Sequence, residues 1–181
     1  AALATAETIE NVRYRAVALG RIAVAHADAG RNADADATIE IALAAIDRID
    51  RPYARSFAIS RIALAMVRIA AATGPHAISD EARARSYKRA IDAVMRIEDQ
   101  RLKAHTLWLI ASSQRVREDS GWRSTEELAE LATDEIIGAL SRVWMFAELA
   151  EGHALDGEND AAWRSFSRGL SLAADIDNSW S

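Results

Sequence analysis

The chain has 181 residues, half of them hydrophobic and only 6% aromatic, and its formal net charge is −5. This acidic balance argues against a nucleic-acid partner, whose phosphates need an excess of Lys and Arg on one face, and the absence of cysteine excludes disulfides and cysteine-ligated zinc. No apolar run approaches the ~18 residues of a membrane span, so we expect no membrane segment, and the compartment stays open between cytoplasm, which is slightly favoured, and periplasm.

Helix-forming residues dominate the whole chain. Alanine, leucine, arginine and glutamate recur throughout, whereas only two prolines and eight glycines interrupt them. In chain order, the sequence predicts helices at 2–10, 12–29, 33–50, 52–73, 79–98, 100–118, 124–136, 139–155 and 159–177. The second repeat described below is longer than the others around residues 74–87, so we expect a longer connection or an extra helical turn there.

Four segments of the chain resemble one another and align on a large aliphatic residue, the anchor. The anchors lie 40, 48 and 39 residues apart, at Ile22, Ile62, Ile110 and Leu149. The residue after each anchor is alanine: Ala23, Ala63, Ala111 and Ala150. The third residue before each anchor is large and apolar: Leu19, Ile59, Leu107 and Phe146. These offsets share one side of a helix, so they predict a buried stripe on a first helix, helix A, of each repeat.

A second helix, helix B, precedes each anchor with a pattern of its own. Isoleucine lies thirteen residues before every anchor, and one more begins another cycle: Ile9, Ile49, Ile97, Ile136 and Ile176. By this register, residue 1 already lies inside helix B of an earlier repeat. We therefore expect one array that is part of a longer one, with the end of a preceding repeat at 1–10 and with repeats at 12–50, 52–98, 100–136 and 139–177.

The segment 154–173 resembles the helix-turn-helix core of a tetratricopeptide repeat, because a glycine turn is followed by Ala162, Phe166 and Gly169 at that family's spacing. The first repeat has the same spacing, whereas the third keeps little of the B-helix pattern. The resemblance implies an all-α fold, a right-handed α–α superhelix (solenoid) of about four two-helix repeats of 39–48 residues. It also implies peptide or protein binding on a concave face lined by the A helices.

A cation stands seven residues before each anchor: Arg15, Arg55, Lys103 and Arg142. This row of cations, the cation ladder, could bind the carboxylates of an acidic peptide. A structural role is favoured instead, because an acidic residue lies five positions upstream of the first three cations: Glu10, Asp50 and Glu98. Local ion pairs of this kind contribute only ~0.2–1 kcal/mol each.

The candidates for partner contact lie in two columns that point away from the buried stripe. Five residues before the anchors stand Val17, Phe57, His105 and Trp144, and one residue before them stand Arg21, Arg61, Leu109 and Glu148. By resemblance, these offsets match groove-lining positions of tetratricopeptide A helices. Aromatic residues and arginine most often carry binding energy at interfaces, so we predict a partner-binding surface of Phe57, His105, Trp144, Arg21 and Arg61. The alternative is that Phe57 and Trp144 pack as core against a neighbouring helix.

The remaining polar residues form no catalytic or metal-binding motif. Within the predicted helices, no histidine has a His or carboxylate at the i, i+4 spacing of a helical zinc site, so we expect surface roles for His26, His76, His105 and His153 and no metal. The pair Glu126–Glu127 diverges around a helix, as does Asp134–Glu135, and we interpret both as solvated faces. The acidic residues around Gly157 fit a capped turn. No catalytic residue and no cofactor is predicted.

Two functions fit these observations. The first is a non-catalytic scaffold that presents a concave groove to a protein or peptide, or to another copy of the same chain. The second is a helical sensor or regulatory domain of a larger enzyme or signalling protein, whose chemistry lies outside these residues. An RNA-binding array fits less well, because the groove positions carry no ladder of basic residues.

Overall fold

The computed structural model describes residues 1–176. Within this part of the chain, nine helices and no strand are present: α1 (Ala2–Glu7), α2 (Val12–Asp28), α3 (Asn32–Ile46), α4 (Pro52–Ala70), α5 (Asp80–Val94), α6 (Gln100–Val116), α7 (Trp122–Asp134), α8 (Ala139–Leu155) and α9 (Asn159–Ala174). The predicted all-α class is confirmed. Residue 177, the predicted end of the last helix, lies outside the described residues.

The A helices, α2, α4, α6 and α8, begin at the predicted residues. Asn11 accepts hydrogen bonds from two backbone N–H groups at the start of α2, and Asp99 accepts one at the start of α6. These side-chain oxygens satisfy donors that have no partner inside the helix. Pro52 occupies the first turn of α4, where its missing N–H costs nothing.

The B helices, α1, α3, α5, α7 and α9, end about three residues earlier than predicted. α3 ends at Ile46 and α5 at Val94, so the repeated isoleucines lie in the turn that leads to the next A helix. Ile49 and Ile97 are nevertheless buried. The periodic spacing therefore identified a buried position correctly but assigned it to the wrong element, because the isoleucine packs under the turn and not along the helix.

The predicted cation ladder does have structural contacts in this turn, but they are not those that we expected. Arg15 Nε donates to the carbonyl oxygen of Ile9 at 2.8 Å, and Arg55 Nη1 donates to that of Ile49 at 3.4 Å. The ion pair of Arg55 is with Glu98, at 2.6 Å and one repeat further on. The expected pairing of Arg55 with the nearby Asp50 is therefore wrong, because the arginine lies across the turn toward backbone oxygens.

Successive helices pack as hairpins that also contact the next hairpin. α2 packs on α3, α4 on α5, α6 on α7 and α8 on α9. Each A helix also contacts the following A helix, and each B helix contacts the A helix that follows it. Ion pairs join B helices across hairpins, between Arg89 and Glu40 and between Arg168 and Asp134.

The predicted stripe of alanines and large apolar residues forms the core. Ala23, Ala63 and Ala111 are fully buried, and Ala150 is 9% exposed. The column three residues before the anchor is also buried throughout. Burial of the small residues allows close approach of neighbouring A helices: a Cβ atom placed on Gly20 of α2 would lie 3.5 Å from the Cβ of Ala65 on α4. The register predicted for the A helices is therefore correct.

The connection between α4 and α5 is the longest within a hairpin, as predicted. α4 ends at Ala70 and α5 begins at Asp80, whereas α2 and α3 are separated only by residues 29–31. Ser79 caps α5 by accepting a hydrogen bond from the N–H of Ala82. Among the described residues, no helix combines the length and the apolar character needed to cross a membrane.

Candidate functional site

Two of the predicted partner-binding residues border one surface depression between α2 and α4. Arg21 and Arg61 are exposed, and Arg68 lies beside them along this depression of about 500 Å³. Its floor is made of small and aliphatic residues of both helices: Val17, Gly20, Val24, Ala25, Leu64 and Ala65. Asp28 is the one carboxylate on its lining.

These three arginines differ from most arginines of the B helices. Within residues 1–176, no carboxylate lies within 4.0 Å of the guanidinium group of Arg21, Arg61 or Arg68. By contrast, Arg83, Arg89 and Arg168 each have at least one acidic partner. The depression therefore concentrates positive charge that the described part of the chain leaves uncompensated.

The other predicted partner-binding residues lie further along the A helices. His105 Nε2 is 3.8 Å from Glu148 Oε2, and both border a second, smaller depression with Tyr53. Phe57 is half-buried, and the guanidinium carbon of Arg13 lies 5.7 Å from the centre of its ring. Trp144 is 58% exposed. Phe57 and Trp144 line neither of these depressions.

A partly buried cluster of charged residues lies at the other end of the A helices, between the third and fourth hairpins. Its centre is Arg115 at the end of α6, whose Nη2 donates to Glu126 Oε2 on α7 at 2.8 Å. Nη1 of the same guanidinium donates to Asp156 Oδ2 in the α8–α9 turn at 2.6 Å and lies 3.4 Å from Glu158 Oε2. One arginine therefore joins three carboxylates from two different hairpins.

His153 of α8 lies at the bottom of this cluster and is fully buried. Its Nδ1 is 3.1 Å from Glu158 Oε2, within hydrogen-bonding distance. Its Nε2 is 3.3 Å from Glu126 Oε1 but makes no hydrogen bond. The edge of Trp108 packs against the imidazole, with ring centres 5.0 Å apart.

Close packing of Trp108 requires a glycine opposite. A Cβ atom on Gly152 would lie 2.2 Å from Trp108 Cζ2, which is much shorter than the van der Waals contact distance between two carbon atoms. The indole is 6% exposed and lies on the helix that also carries Arg115. Gly152 therefore provides the space in which the indole supports the imidazole of His153.

The structure overturns two sequence predictions at this cluster. His153 was expected at the surface, yet its side chain is fully buried, and the side chain of Glu126, expected on a solvated face, is only 13% exposed. His26 is also mostly buried, at 14% exposed, with Nδ1 3.8 Å from Asp34 Oδ2. The reason is that the partners of His153 lie outside the i, i+4 spacing: Glu158 is in the next turn and Glu126 belongs to another hairpin.

The repeat register contained a signal for this cluster. Glu126 lies ten residues before Ile136, and the equivalent residues in the first two repeats are Ile39 and Tyr87, both 1% exposed. Arg115 likewise replaces the buried residues Ala27 and Val67. Charged residues thus occupy two columns that are apolar core in the earlier repeats.

Burial has a measurable consequence for the acid–base chemistry of the cluster. Desolvation raises the pKa of Glu126 above its usual range, and the charge of Glu158 adds to the rise. A positive charge on His153 or on Arg115 opposes this shift, because it favours the carboxylate. Glu126 therefore holds a proton more readily than an exposed glutamate does.

The cluster borders a depression of about 750 Å³ between α7 and the start of α9. Glu126 and Glu158 line it, together with Glu127, Glu130 and Asp160. Trp122 closes one side, with its ring 4.4 Å from the Arg115 guanidinium carbon. Solvent therefore reaches the two glutamates from this side, while His153 stays behind them.

Comparisons of the chain with protein-family models, with curated proteins and with solved structures found no match.

Proposed function

We propose that this chain is a protein- or peptide-binding scaffold, in which the hairpins stack as a right-handed α–α superhelix and the A helices line a concave groove. Support for stacking comes from the succession of contacts, since every A helix touches the next one. The tetratricopeptide-like pattern of small and large apolar residues is consistent with this arrangement. In such a stack, the exposed columns of the A helices lie side by side.

The observation that carries this function is the depression bordered by Arg21, Arg61 and Arg68. Three guanidinium groups face one carboxylate there, over an apolar floor. An extended segment with acidic side chains and small aliphatic ones complements both features, because guanidinium groups form paired hydrogen bonds with carboxylates. The proposed partner is therefore an acidic segment of a protein, bound between α2 and α4.

His105 and Trp144 extend the same surface along the chain. At the contact between α2 and α4, Val17 and Arg61 line one depression. His105 of α6 and Glu148 of α8 occupy the equivalent positions at the contact between these two helices, where they line the second depression. A partner that follows the groove would meet arginines first and the exposed indole of Trp144 last. We expect affinity to depend on both ends of this surface.

The test is binding of a fluorescein-labelled peptide of alternating glutamate and leucine, measured by fluorescence anisotropy. Arg21→Glu combined with Arg61→Glu should weaken binding at least tenfold, since truncation of central interface residues commonly costs ~2 kcal/mol or more. The matched control is Arg48→Glu combined with Arg51→Glu, which makes the same change in net charge at two exposed arginines between α3 and α4. The same loss in the control variant would show non-specific charge attraction and would refute the groove.

A second pair of variants tests the aromatic end of the surface. Phe57→Ala with Trp144→Ala should reduce affinity for the natural partner recovered by pull-down, while the melting temperature falls only slightly, because Trp144 is 58% exposed. An intact affinity with a collapsed melting temperature would assign both aromatic residues to the core and remove them from the site.

A further inference from the structure

We propose that His153 and Glu126 bind a divalent transition-metal cation of the Zn²⁺ class, with Glu158 holding the imidazole in the orientation that binding needs. This site is separate from the groove between α2 and α4. One donor atom from each of the three residues lies within 4.8 Å of the other two. Imidazole nitrogen with carboxylate oxygen is a donor set typical of zinc.

The unpartnered nitrogen of His153 is the observation that points to a ligand. Its side chain is fully buried, and its Nε2 has no hydrogen-bond partner in the described residues. A buried polar atom without a hydrogen-bond partner destabilises the fold, because it has lost its water and gained no partner in exchange. A cation bound at Nε2 would remove this destabilisation, because the lone pair of the neutral imidazole would become a ligand.

The distances fit two ligands of one ion. Nε2 of His153 and Oε1 of Glu126 are 3.3 Å apart. With Zn–N and Zn–O bonds of about 2.0–2.2 Å and a tetrahedral angle, two ligand atoms lie roughly 3.3–3.4 Å apart. The other oxygen of Glu126 receives the hydrogen bond from Arg115, which leaves Oε1 available.

Glu158 supplies the partner that zinc-binding histidines ordinarily have. Its Oε2 lies 3.1 Å from Nδ1 of His153, so it accepts a hydrogen bond from Nδ1–H, and the lone pair of the imidazole is then on Nε2. Metal-binding imidazoles are almost always held by such a carboxylate or carbonyl on the far nitrogen. Glu158 is therefore a positioning residue and not a direct ligand.

The local charge also favours a divalent cation. Glu126, Glu158 and Asp156 bring three negative charges and Arg115 one positive charge, so with a neutral imidazole the cluster carries a net charge of −2. Protons can reduce this charge, and a divalent cation cancels it. The acidic depression in front of Glu126 gives the ion a path from solvent and room for water molecules in its remaining positions.

The experiment measures Zn²⁺ binding to the metal-free protein by equilibrium dialysis with elemental analysis, and by calorimetry. We expect one Zn²⁺ per chain and a higher melting temperature with Zn²⁺, because the ion binds only the folded site. Glu126→Gln and His153→Gln should each weaken binding at least tenfold. Glu158→Gln should weaken it by roughly 10–100-fold, as loss of an outer partner does.

The matched control is His26→Gln, which removes a mostly buried histidine that faces a single carboxylate, Asp34. This variant should bind Zn²⁺ like the unchanged protein. Circular dichroism reports whether each variant folds, and Glu126→Gln keeps the test valid if His153→Gln does not fold. Absence of Zn²⁺ binding at micromolar concentration would overturn the proposal, and so would an affinity in Glu126→Gln and His153→Gln equal to that of the unchanged protein. An equal loss in His26→Gln would overturn it as well.

Discussion

Two glycines in the interior of A helices allow a direct test of the packing described above. Gly20 of α2 and Gly152 of α8 each lie at a contact between successive A helices. Replacement of either glycine by alanine should gain about 1 kcal/mol of helix propensity. The two positions differ in what the new methyl group meets. Their comparison therefore separates the steric effect from the propensity.

The expected magnitudes follow from the distances. At Gly20, the nearest atom to a new Cβ is the Cβ of Ala65 at 3.5 Å, which is an ordinary contact, so Gly20→Ala should stabilise the fold by up to about 1 kcal/mol. At Gly152, Trp108 Cζ2 would be only 2.2 Å away. Overpacking typically costs ~1–3 kcal/mol, and so severe an overlap with a buried indole belongs at the upper end. The two variants should then differ in unfolding free energy by about 3 kcal/mol.

Urea unfolding followed by circular dichroism measures this difference. In thermal melts, about 3 kcal/mol corresponds to roughly 6–12 °C in a chain of this size. Trp108→Ser, which introduces the residue found at the equivalent position Ser60, should abolish the penalty of Gly152→Ala in the double variant. Equal stability of Gly20→Ala and Gly152→Ala would refute the placement of Trp108 between α6 and α8.

Two further predictions concern the core and the charged cluster. Ala63→Leu should cost ~1–3 kcal/mol in chemical unfolding, since Ala63 is fully buried at a helix contact, and an unchanged midpoint would contradict the register. Because the pKa of Glu126 is raised, its carboxyl group binds a proton more tightly in the folded state than in the unfolded state. At high pH the ionised group should therefore destabilise the fold. This destabilisation should decrease as the pH falls through the raised pKa toward the pKa of the unfolded chain. Glu126→Gln should lack this part of the pH dependence in unfolding midpoints measured without metal, and an identical pH profile would show that Glu126 titrates normally.

The A helices could be predicted from the sequence because their signals are local. The alanine after each anchor and the large residue three positions before it belong to one helix, and the stripe that they form is buried as expected. Capping residues and Pro52 lie next to the helix starts that they determine. The end of a B helix was harder to place, because a buried isoleucine such as Ile49 has the same spacing whether it ends the helix or lies in the following turn.

The charged cluster could not be predicted from spacing along one helix. His153 on α8, Glu126 on α7 and Arg115 on α6 come together only when two hairpins pack. A motif search at i, i+4 therefore does not find this cluster. Comparison of equivalent residues between repeats would have found it, since Glu126 replaces Ile39 and Tyr87, which are core in the first two repeats.

The same comparison indicates why these charges are unusual for a structural role alone. The first two hairpins bury Ile39 and Tyr87 where the third has Glu126, so the fold itself does not require a charge at this position. Buried ion pairs are often no more stabilising than apolar residues of similar size, because removal of charges from water costs several kcal/mol per ion. Arg115 offsets part of this cost through its bonds to Glu126 and Asp156, yet His153 Nε2 remains without a hydrogen bond. A stabilising role accounts for the arginine, whereas the orientation of the imidazole toward Glu126 Oε1 is accounted for by a ligand between them.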